Sequence, residues 1–359
     1  MRLMVTAFTV FVGLDTFVLS SSYAVAEKAD SSLFSELQEK ADTATDTADA
    51  ADTVEVLEAS DTSGTSDAES NTTAKATKSR GPGKDGHGNR RGSGSSADDT
   101  EASAAVSESR VDTSTITAEG TELGSVTTDN YTITVTEYYE NDTAIYVADV
   151  TVSSAEYLKT ALADDVYGKN VTAYTSSIAS SNEAVLAING DYYGAQESGY
   201  VIRNGVIYRD TSDGDEVLVI YANGTMEVLD SDDYTAQELL EKGAWQVLSF
   251  GPGLVSDGEV TVGEGEEVAQ AKTSNPRTAI GQVGENHYVL VVADGRTDES
   301  EGLGLYDLAQ FMKELGCETA YNLDGGGSST MYFNGEVINQ PTTNGSIKER
   351  AVSDIVYIA

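Results

Sequence analysis

The run Ala320-Tyr321-Asn322-Leu323-Asp324-Gly325-Gly326-Gly327-Ser328-Ser329-Thr330-Met331 indicates the fold of this protein. An apolar stretch typical of a short strand ends in an aspartate, three glycines and two serines. Consecutive glycines lose much backbone entropy on folding, so they indicate close approach to the main chain or positive φ. Successive N–H groups in such a loop can bind phosphate or carboxylate oxygens. The run therefore predicts an anion-binding loop after a strand, with an ordinary solvent loop as the alternative.

The residues before this run predict a strand, a helix and then the strand 320–323. Residues 288–292 are continuously apolar and lead into Asp294. One face of the next segment is apolar at helical spacing, and Gly316 ends the helix. Strands joined by a helix normally run parallel. Asp294 and Asp324 are therefore predicted at the carboxyl ends of strands in one sheet, where ligands bind in open α/β sheets.

The remainder of residues 113–359 predicts hairpins and short helices. Residues 131–138 and 144–152 alternate apolar and polar side chains, which is typical of a β-hairpin. Asn-Gly turns predict three later hairpins, at 204–205, 223–224 and 334–335. Helices are predicted over 153–162, before the strand 184–188, and over 236–242.

The predicted fold class is α/β (mixed α+β). It consists of mixed sheets flanked by helices, with a C-terminal βαβ unit and several Asn-Gly hairpins. The strand 184–188 ends in Asn189-Gly190-Asp191, so this turn is expected at the same rim as Asp324. A repeated order of strand, glycine loop and hairpin leaves two related halves as an open alternative.

The N-terminal third differs in composition from the rest. Residues 1–26 are largely apolar and end in Ala24-Val25-Ala26, which resembles a secretory signal, although their length also suits an uncleaved membrane anchor. Residues 27–112 are rich in Asp, Thr, Ser, Ala and Gly, which is typical of a disordered spacer, with a short helix only around 31–40. We therefore expect export to the cell surface or outside the cell, with 113–359 as the folded domain.

Charge and rare residues exclude several classes of function. The net charge of −39 excludes general nucleic-acid binding through a basic face. The single cysteine, Cys317, excludes an internal disulfide and is expected in the core. With only two histidines, His87 and His287, a histidine metal cluster or a serine–histidine triad is nearly excluded.

Three arginines in this acidic chain lie in turn-rich segments: Arg277, Arg296 and Arg350. A guanidinium can hold phosphate through two parallel hydrogen bonds, so these arginines predict an anion site. The alternative is that each pairs with a structural carboxylate. Asp191, Asp294 and Asp324 are the candidates for the carboxyl pair of a glycoside hydrolase, or each could simply cap its own loop.

The chain resembles the phosphodiester glycosidase family over roughly residues 130–359. The most specific segment is Asn322-Leu323-Asp324-Gly325-Gly326-Gly327-Ser328-Ser329, and the segments 275–281, 291–296 and 308–316 precede it in the family order. The resemblance implies hydrolysis between a sugar anomeric carbon and a phosphate-linked group. Many relatives have a second glycine where this chain has Asp191, so no catalytic role is implied for that residue.

The resemblance and the residues together predict a site. Its predicted catalytic residues are Asp324, Asp294, Arg277, Arg296 and Asn189, with the arginines on the phosphate and Asn189 orienting sugar or water. Its predicted substrate-binding residues are Gly325, Gly326, Gly327, Ser328, Ser329, Asp191, Glu349 and Arg350.

The predicted substrate is a phosphate-linked glycan or cell-wall glycopolymer, and no cofactor is expected. A bridging divalent cation such as Ca²⁺ or Mg²⁺ is one alternative, because the many carboxylates would otherwise repel a polyanion. A non-catalytic module for binding or exporting exopolysaccharide is another. The oligomeric state stays open.

Overall fold

The computed structural model describes residues 23–25, 31–55, 119–264 and 274–359. Most of the predicted signal segment and of the predicted spacer lies outside these residues, so their boundaries stay predictions. The described residues up to 49 and from 119 onward form one compact unit. In the described ranges, no helix has the length and apolar character needed to cross a membrane.

The strands, in chain order, are β1 (Tyr23–Val25), β2 (Thr121–Thr127), β3 (Tyr131–Glu140), β4 (Thr143–Val152), β5 (Leu158–Leu162), β6 (Val166–Gly168), β7 (Leu186–Asn189), β8 (Val201–Arg203), β9 (Val206–Arg209), β10 (Glu216–Tyr221), β11 (Met226–Asp230), β12 (Ala244–Leu248), β13 (Gly253–Ser256), β14 (Glu259–Val260), β15 (Arg277–Gly284), β16 (His287–Ala293), β17 (Thr319–Leu323), β18 (Met331–Phe333), β19 (Glu336–Val337), β20 (Thr342–Thr343), β21 (Ser346–Ile347) and β22 (Asp354–Ile358). The helices are α1 (Ser31–Glu55), α2 (Thr175–Ser181), α3 (Ala236–Glu241) and α4 (Leu305–Glu314). Short 3₁₀ turns lie at Ala155–Tyr157, Ala163–Asp165, Tyr193–Ala195 and Gly326–Ser328.

The strands form three main sheets. The largest has eight strands in the order β14-β13-β17-β15-β16-β4-β3-β2. Two five-stranded sheets have the orders β19-β18-β7-β22-β5 and β11-β10-β12-β8-β9, and two-stranded ribbons join β1 to β6 and β20 to β21. The predicted mixed class of helices and sheets is confirmed. All neighbouring strands named here pair antiparallel.

The predicted βαβ unit is present in a split form. Both β16 and β17 pair antiparallel with β15, which lies between them, so β16 and β17 run parallel to each other. Helix α4 connects these two strands along the chain. Their carboxyl ends therefore lie at the same edge of the eight-stranded sheet, as the sequence predicted.

Both faces of the eight-stranded sheet are buried, which explains the continuous apolar run in β16. Leu290 and Val292 face a core shared with the two five-stranded sheets. Val289 and Val291 face the opposite core, which α4 closes with its apolar stripe. Successive side chains of a strand alternate between faces, so a strand buried on both sides must be apolar throughout. Cys317 is buried in the second core, as expected.

The predicted hairpins are confirmed at all four positions. The pairs β3–β4, β8–β9, β10–β11 and β18–β19 form antiparallel hairpins. In the turn between β8 and β9, Asn204 and Gly205 both have positive φ, at 51° and 75°. Asparagine and glycine tolerate this conformation, which hairpin turns of this kind require.

The helix predicted over 153–162 is wrong. Ser154 does cap a short helical turn, since its side chain accepts a hydrogen bond from the backbone N–H of Glu156. The chain then becomes β5, which pairs along its whole length with β22 at the other end of the domain. The apolar spacing of Leu158 and Leu162 fits a helix locally, but pairing with a strand distant in sequence outweighs that local preference.

Helix α1 extends through a segment assigned to the disordered spacer. The sequence predicted a helix only around 31–40, whereas α1 has 25 residues. Phe34 and Leu37 are buried in a cluster with Trp245. A Cβ on Gly243 would lie 2.4 Å from the carbonyl oxygen of Leu37, so a glycine is needed where the helix meets the domain. A few apolar residues thus suffice to dock a segment that is otherwise polar.

Truncating Phe34 to alanine is expected to destabilise the domain. The ring packs edge-to-face on Trp245 with 4.9 Å between ring centroids, and truncation of a buried phenylalanine costs about 3–5 kcal/mol. Urea denaturation followed by tryptophan fluorescence measures the loss, with the exposed Glu39→Ala in the same helix as the control. An unchanged midpoint for Phe34→Ala would show that α1 does not contribute to the folded domain in solution.

Candidate active site

Three predicted catalytic residues lie at one edge of the eight-stranded sheet. Arg277 begins β15 and pairs in register with Ala293, the last residue of β16. The same strand pairs on its other side with β17, whose end lies at the same edge. Asp294 and Asp324 directly follow β16 and β17, so the two carboxyl groups and the arginine are delivered to one rim.

Asn189 connects the five-stranded sheet that contains β7 to this rim. It ends β7, and its side-chain Nδ2 donates to the backbone oxygen of Asp324 at 2.6 Å. Its Oδ1 accepts from the hydroxyl of Thr278 at 2.9 Å and from the backbone N–H of Thr330 at 3.2 Å. Both the nitrogen and the oxygen of the buried amide are therefore hydrogen-bonded to other groups of the protein. Asn189 positions the Asp324 loop, and the predicted role of orienting sugar or water is not supported.

Asp324 is held by a hydroxyl and a guanidinium. Its Oδ2 accepts from the Ser328 hydroxyl at 2.5 Å and from Nη2 of Arg350 at 2.9 Å. Burial raises the pKa of Asp324, while Arg350 and Ser328 act in the opposite direction. An adjacent cation favours the charged form of a carboxyl group. The site therefore contains a largely desolvated carboxylate whose charge depends on Arg350.

Asp294 is the second buried carboxyl group of the rim. It accepts from the side chain of Asn339 at 2.8 Å and from the backbone N–H of Gln340 at 3.0 Å. Burial raises the pKa of Asp294, and these hydrogen bonds partly oppose the shift. Asn339 also donates to the backbone oxygen of Ser329, so it links Asp294 to the glycine loop. Nothing in the sequence analysis pointed to Asn339.

Arg277 and Arg296 lie close enough to affect each other's charge. The pKa of Arg277 is lowered to about 10, first by burial and then by the positive charge of Arg296. Arg277 donates from Nε to the backbone oxygen of Leu303 at 2.9 Å. Arg296 donates to the neutral side chain of Asn275 at 2.9 Å, and in the described part of the chain it has no salt bridge to a carboxylate. This concentration of positive charge suits an anion.

The glycine loop differs from the predicted cradle. The N–H of Gly326 donates to the backbone oxygen of Pro276 at 2.8 Å, so it is not free for a ligand. A Cβ on Gly325 would lie 2.9 Å from the same oxygen, and one on Gly327 would lie 2.5 Å from Thr343 Oγ1. The glycines are thus required by close packing of the backbone. A Cβ on Gly326 would also lie 3.0 Å from Nη2 of Arg296, which places that guanidinium directly over the loop.

The serines of the loop have different roles from those predicted. Ser328 bonds to Asp324 and accepts from Nε of Arg350 at 2.8 Å, so it orients two charged groups. Ser329 is fully buried and lines no open surface. The backbone N–H of each serine bonds back to the glycine loop, at 3.3 Å. The loop is therefore held by its own hydrogen bonds, and Arg350 contacts it from a distant segment while it pairs with Asp324.

Asp191 belongs to a buried charge cluster. Arg203 donates to Asp191 at 2.7 Å and to Asp354 at 2.8 Å, and the three side chains are at most 2% exposed. The second oxygen of Asp191 holds the backbone N–H of Tyr193 at 3.0 Å. The predicted role of Asp191 in binding substrate is therefore not supported. Burial raises the pKa of Asp354, which shares Arg203 with Asp191.

The sequence analysis did not identify this cluster. The available signal was a charged residue inside an otherwise buried strand, as in Val201-Ile202-Arg203 and Asp354-Ile355-Val356. Charged residues are almost never fully buried unless they are paired. A Cβ on Gly190 would lie 2.3 Å from Asp354 Oδ1, so the close packing of Asp354 requires a glycine directly after Asn189.

Glu349 and Arg350 are adjacent in sequence but differ in role. Glu349 accepts from the backbone N–H of Ser176 at 3.0 Å and from its hydroxyl at 2.6 Å. It thus satisfies a free N–H at the start of α2, and its predicted role in substrate binding is not supported. Arg350 faces Asp324 and is 40% exposed, so among the arginines in the described ranges it alone pairs with a site carboxylate and still reaches solvent. Among the described residues, no group of three or more His, Cys, Asp or Glu side chains could hold a metal ion.

A protein family and several known proteins are similar to parts of this chain. The phosphodiester glycosidase family matches residues 182–359. The SPbeta prophage-derived uncharacterized protein YomE of Bacillus subtilis is 30% identical over an alignment of 261 residues that covers 66% of this chain and 40% of that protein. The N-acetylglucosamine-1-phosphodiester alpha-N-acetylglucosaminidase of Mus musculus is 32% identical over 109 residues, 27% of this chain and 21% of the mouse protein. This chain thus spans well under half the length of either relative.

A solved structure shows the same fold. The zebrafish N-acetylglucosamine-1-phosphodiester alpha-N-acetylglucosaminidase catalytic domain, auto-inhibited by its pro-peptide, superposes with a TM-score of 0.52 at 21% identity. The superposition covers 70% of this chain and 94% of the zebrafish chain. The rim described above, from Asn189 to Arg350, lies within the region that the family matches. Residues 182–359 therefore belong to the phosphodiester glycosidase family, and the resemblance predicted from the sequence motifs is confirmed.

Proposed function

We propose that this protein hydrolyses the glycosidic bond between a sugar anomeric carbon and a phosphate in a phosphodiester. The substrate is a sugar-1-phosphate diester or a phosphate-linked cell-surface glycopolymer. One observation carries the proposal: two buried carboxyl groups, Asp294 and Asp324, share a rim with Arg296, whose guanidinium faces the glycine loop with no carboxylate partner among the described residues. A carboxyl pair beside concentrated positive charge suits cleavage of a sugar from a phosphate.

The charge of each of these residues determines its role in the reaction. The bond from the anomeric carbon to the phosphate oxygen breaks, its electron pair leaves with the phosphate, and water supplies a hydroxyl to the sugar. Arg277 and Arg296 hold the phosphate as charge develops on the leaving oxygen. Asp324, kept ionised by Arg350, stabilises positive charge at the anomeric centre. Asp294, whose pKa burial raises, takes the proton from water.

We also propose that the protein acts outside the cell. The apolar N-terminal segment that ends in Ala24-Val25-Ala26 supports export, and a phosphate-linked glycan of the cell surface would be reached there.

Hydrolysis is expected for a sugar-1-phosphodiester and much less for the matching alkyl glycoside. An alkoxide leaving group needs protonation, whereas a phosphate leaves readily once its charge is held. Because similar enzymes are named for N-acetylglucosamine-1-phosphodiesters, the methyl diester of N-acetylglucosamine-1-phosphate and methyl N-acetylglucosaminide are the first pair to compare, by product chromatography at equal concentration. Equal rates would leave a generic glycosidase, and saturable binding without any product would indicate the non-catalytic binding module.

Removing either phosphate-facing arginine is expected to slow catalysis without unfolding the protein. Arg277→Ala and Arg296→Ala should each cost about 2–4 kcal/mol in kcat/KM, the range for one lost donor to a developing charge. Lysine should restore little, because it lacks the two-pronged geometry of a guanidinium. The control is Lys313→Ala, whose side chain pairs with Glu259 on the surface. Wild-type kinetics in either variant would remove that arginine from the site.

A further inference from the structure

We propose that the exposed ring of Tyr192 is the platform on which the pyranose ring of the substrate stacks, beside the carboxylate of Asp324. The inference rests on the proposed function and names the sugar-binding part of that site.

The turn that carries Tyr192 is anchored on both sides. The preceding residue, Asp191, is 1% exposed and is fixed by Arg203 and by the backbone N–H of Ser249 at 3.0 Å. The following residue, Tyr193, is 1% exposed, and its ring stacks on Tyr167 with 5.2 Å between centroids. An exposed side chain between two buried, bonded neighbours has little freedom of its backbone. The charge cluster thus fixes the backbone from which the ring of Tyr192 projects.

The ring of Tyr192 lies next to the candidate catalytic carboxylate. The guanidinium carbon of Arg350 is 6.0 Å from the ring centroid, which is within the range of a cation–π contact. The same guanidinium holds Asp324 at 2.9 Å. Even so, 45% of Tyr192 remains accessible to solvent. A single arginine side chain therefore connects an open aromatic surface to the carboxylate that would face the anomeric carbon.

The sugar and the phosphate of the substrate require different partners. A pyranose has an apolar face of C–H groups, which packs well on an aromatic ring, whereas its phosphate needs positive charge. Tyrosine adds a hydroxyl that remains in water while the ring makes the contact. Arg277 and Arg296 serve the phosphate, and Tyr192 offers the complementary surface for the sugar. Binding sites commonly combine an aromatic wall with a few polar groups in this manner.

The test compares a sugar phosphate with phosphate alone. Calorimetry measures the Kd of N-acetylglucosamine-1-phosphate, glucose-1-phosphate and galactose-1-phosphate, and of inorganic phosphate, for the full chain. For the sugar phosphate that the wild type binds most tightly, Tyr192→Ala should raise the Kd by about three- to tenfold, the scale of one aromatic contact. It should leave the Kd of inorganic phosphate within twofold, and Tyr192→Phe should bind like the wild type.

The matched control is Tyr139→Ala. Tyr139 is 58% exposed and its hydroxyl bonds to the backbone oxygen of Glu299, so it has comparable exposure but no contact with Arg350. If Tyr192→Ala raised the Kd of the sugar phosphate and of inorganic phosphate equally, or raised neither, the proposal would be overturned. A wild-type protein that binds none of the three sugar phosphates better than phosphate would also overturn it. Because these measurements need no turnover, absence of hydrolysis with selective loss in Tyr192→Ala would refute only the proposed reaction.

Discussion

Replacing Asp324 with asparagine is expected to lower kcat by about 10³-fold, or about 4 kcal/mol in activation free energy. The carboxylate oxygens accept from Ser328 and Arg350, and an amide of the same shape keeps one acceptor but loses the negative charge. That charge is needed mainly when positive charge develops at the anomeric carbon. Substrate affinity should therefore stay within about tenfold, ~1.4 kcal/mol. Steady-state and single-turnover kinetics on the phosphodiester separate the two effects.

The control for this variant is Asp307→Asn. Asp307 is an exposed aspartate in the first turn of α4 that makes no hydrogen bond to Asp294, Asp324 or Arg350 among the described contacts, and its replacement should leave kcat unchanged. A melting temperature near that of the wild type would show that Asp324→Asn remains folded despite the altered contact to Arg350. Turnover of the variant within tenfold of the wild type would exclude Asp324 as a catalytic carboxylate.

Replacing Arg203 with methionine is expected to destabilise the domain by about 3–5 kcal/mol, the cost of breaking a buried ion pair. The change leaves Asp191 and Asp354 in the interior without their shared guanidinium. Urea denaturation at pH 7 measures the loss. The control Lys169→Met removes an exposed ion pair to Glu197 and should change stability little. A variant as stable as the wild type would contradict the structural role of the cluster.

The destabilisation by Arg203→Met should depend on pH in a defined direction. Burial raises the pKa of Asp354 in the folded state, and loss of the guanidinium removes the main group that opposes this shift. Above its unfolded-state pKa the folded variant then binds more protons than the unfolded chain, so its stability falls as pH rises through this window. The gap between variant and wild type should accordingly be smaller near pH 5 than near pH 8.

The positions of the site residues could be predicted because they depend on order along the chain. Asp294 and Asp324 each follow an apolar strand, and the helix between those strands makes them parallel. That local pattern suffices to place both carboxyl groups at one edge, and the structure does so, with β15 inserted between the two strands. Arg277 reaches the same edge as the first residue of the inserted strand. The hairpins followed equally from Asn-Gly turns, since their conformation is a local property of two residues.

The partners of those residues could not be predicted, because they come from segments distant in sequence. Asn189 uses both ends of its amide to hold the Asp324 loop, and the carboxylate of Asp191 is taken up by Arg203. Glu349 bonds to the start of α2, 173 residues away. Each residue type suited a ligand when considered alone. Hydrogen bonding inside the fold decided otherwise, since buried polar groups must be satisfied.

The sequence by itself determined the family, the class of fold and the rim, because motif order, strand periodicity and turn residues are encoded within short windows. Tertiary structure alone decided that 158–162 is a strand and that α1 docks on the domain, since both depend on contacts with distant partners. It also decided which charged groups are structural and which lie at the candidate site. Burial and pairing turned Asp191, Asp354 and Arg203 into a structural cluster, and left Arg350 partly exposed between Asp324 and Tyr192. Charge is a property of the sequence, but its availability to a ligand depends on which groups the fold leaves without an internal partner.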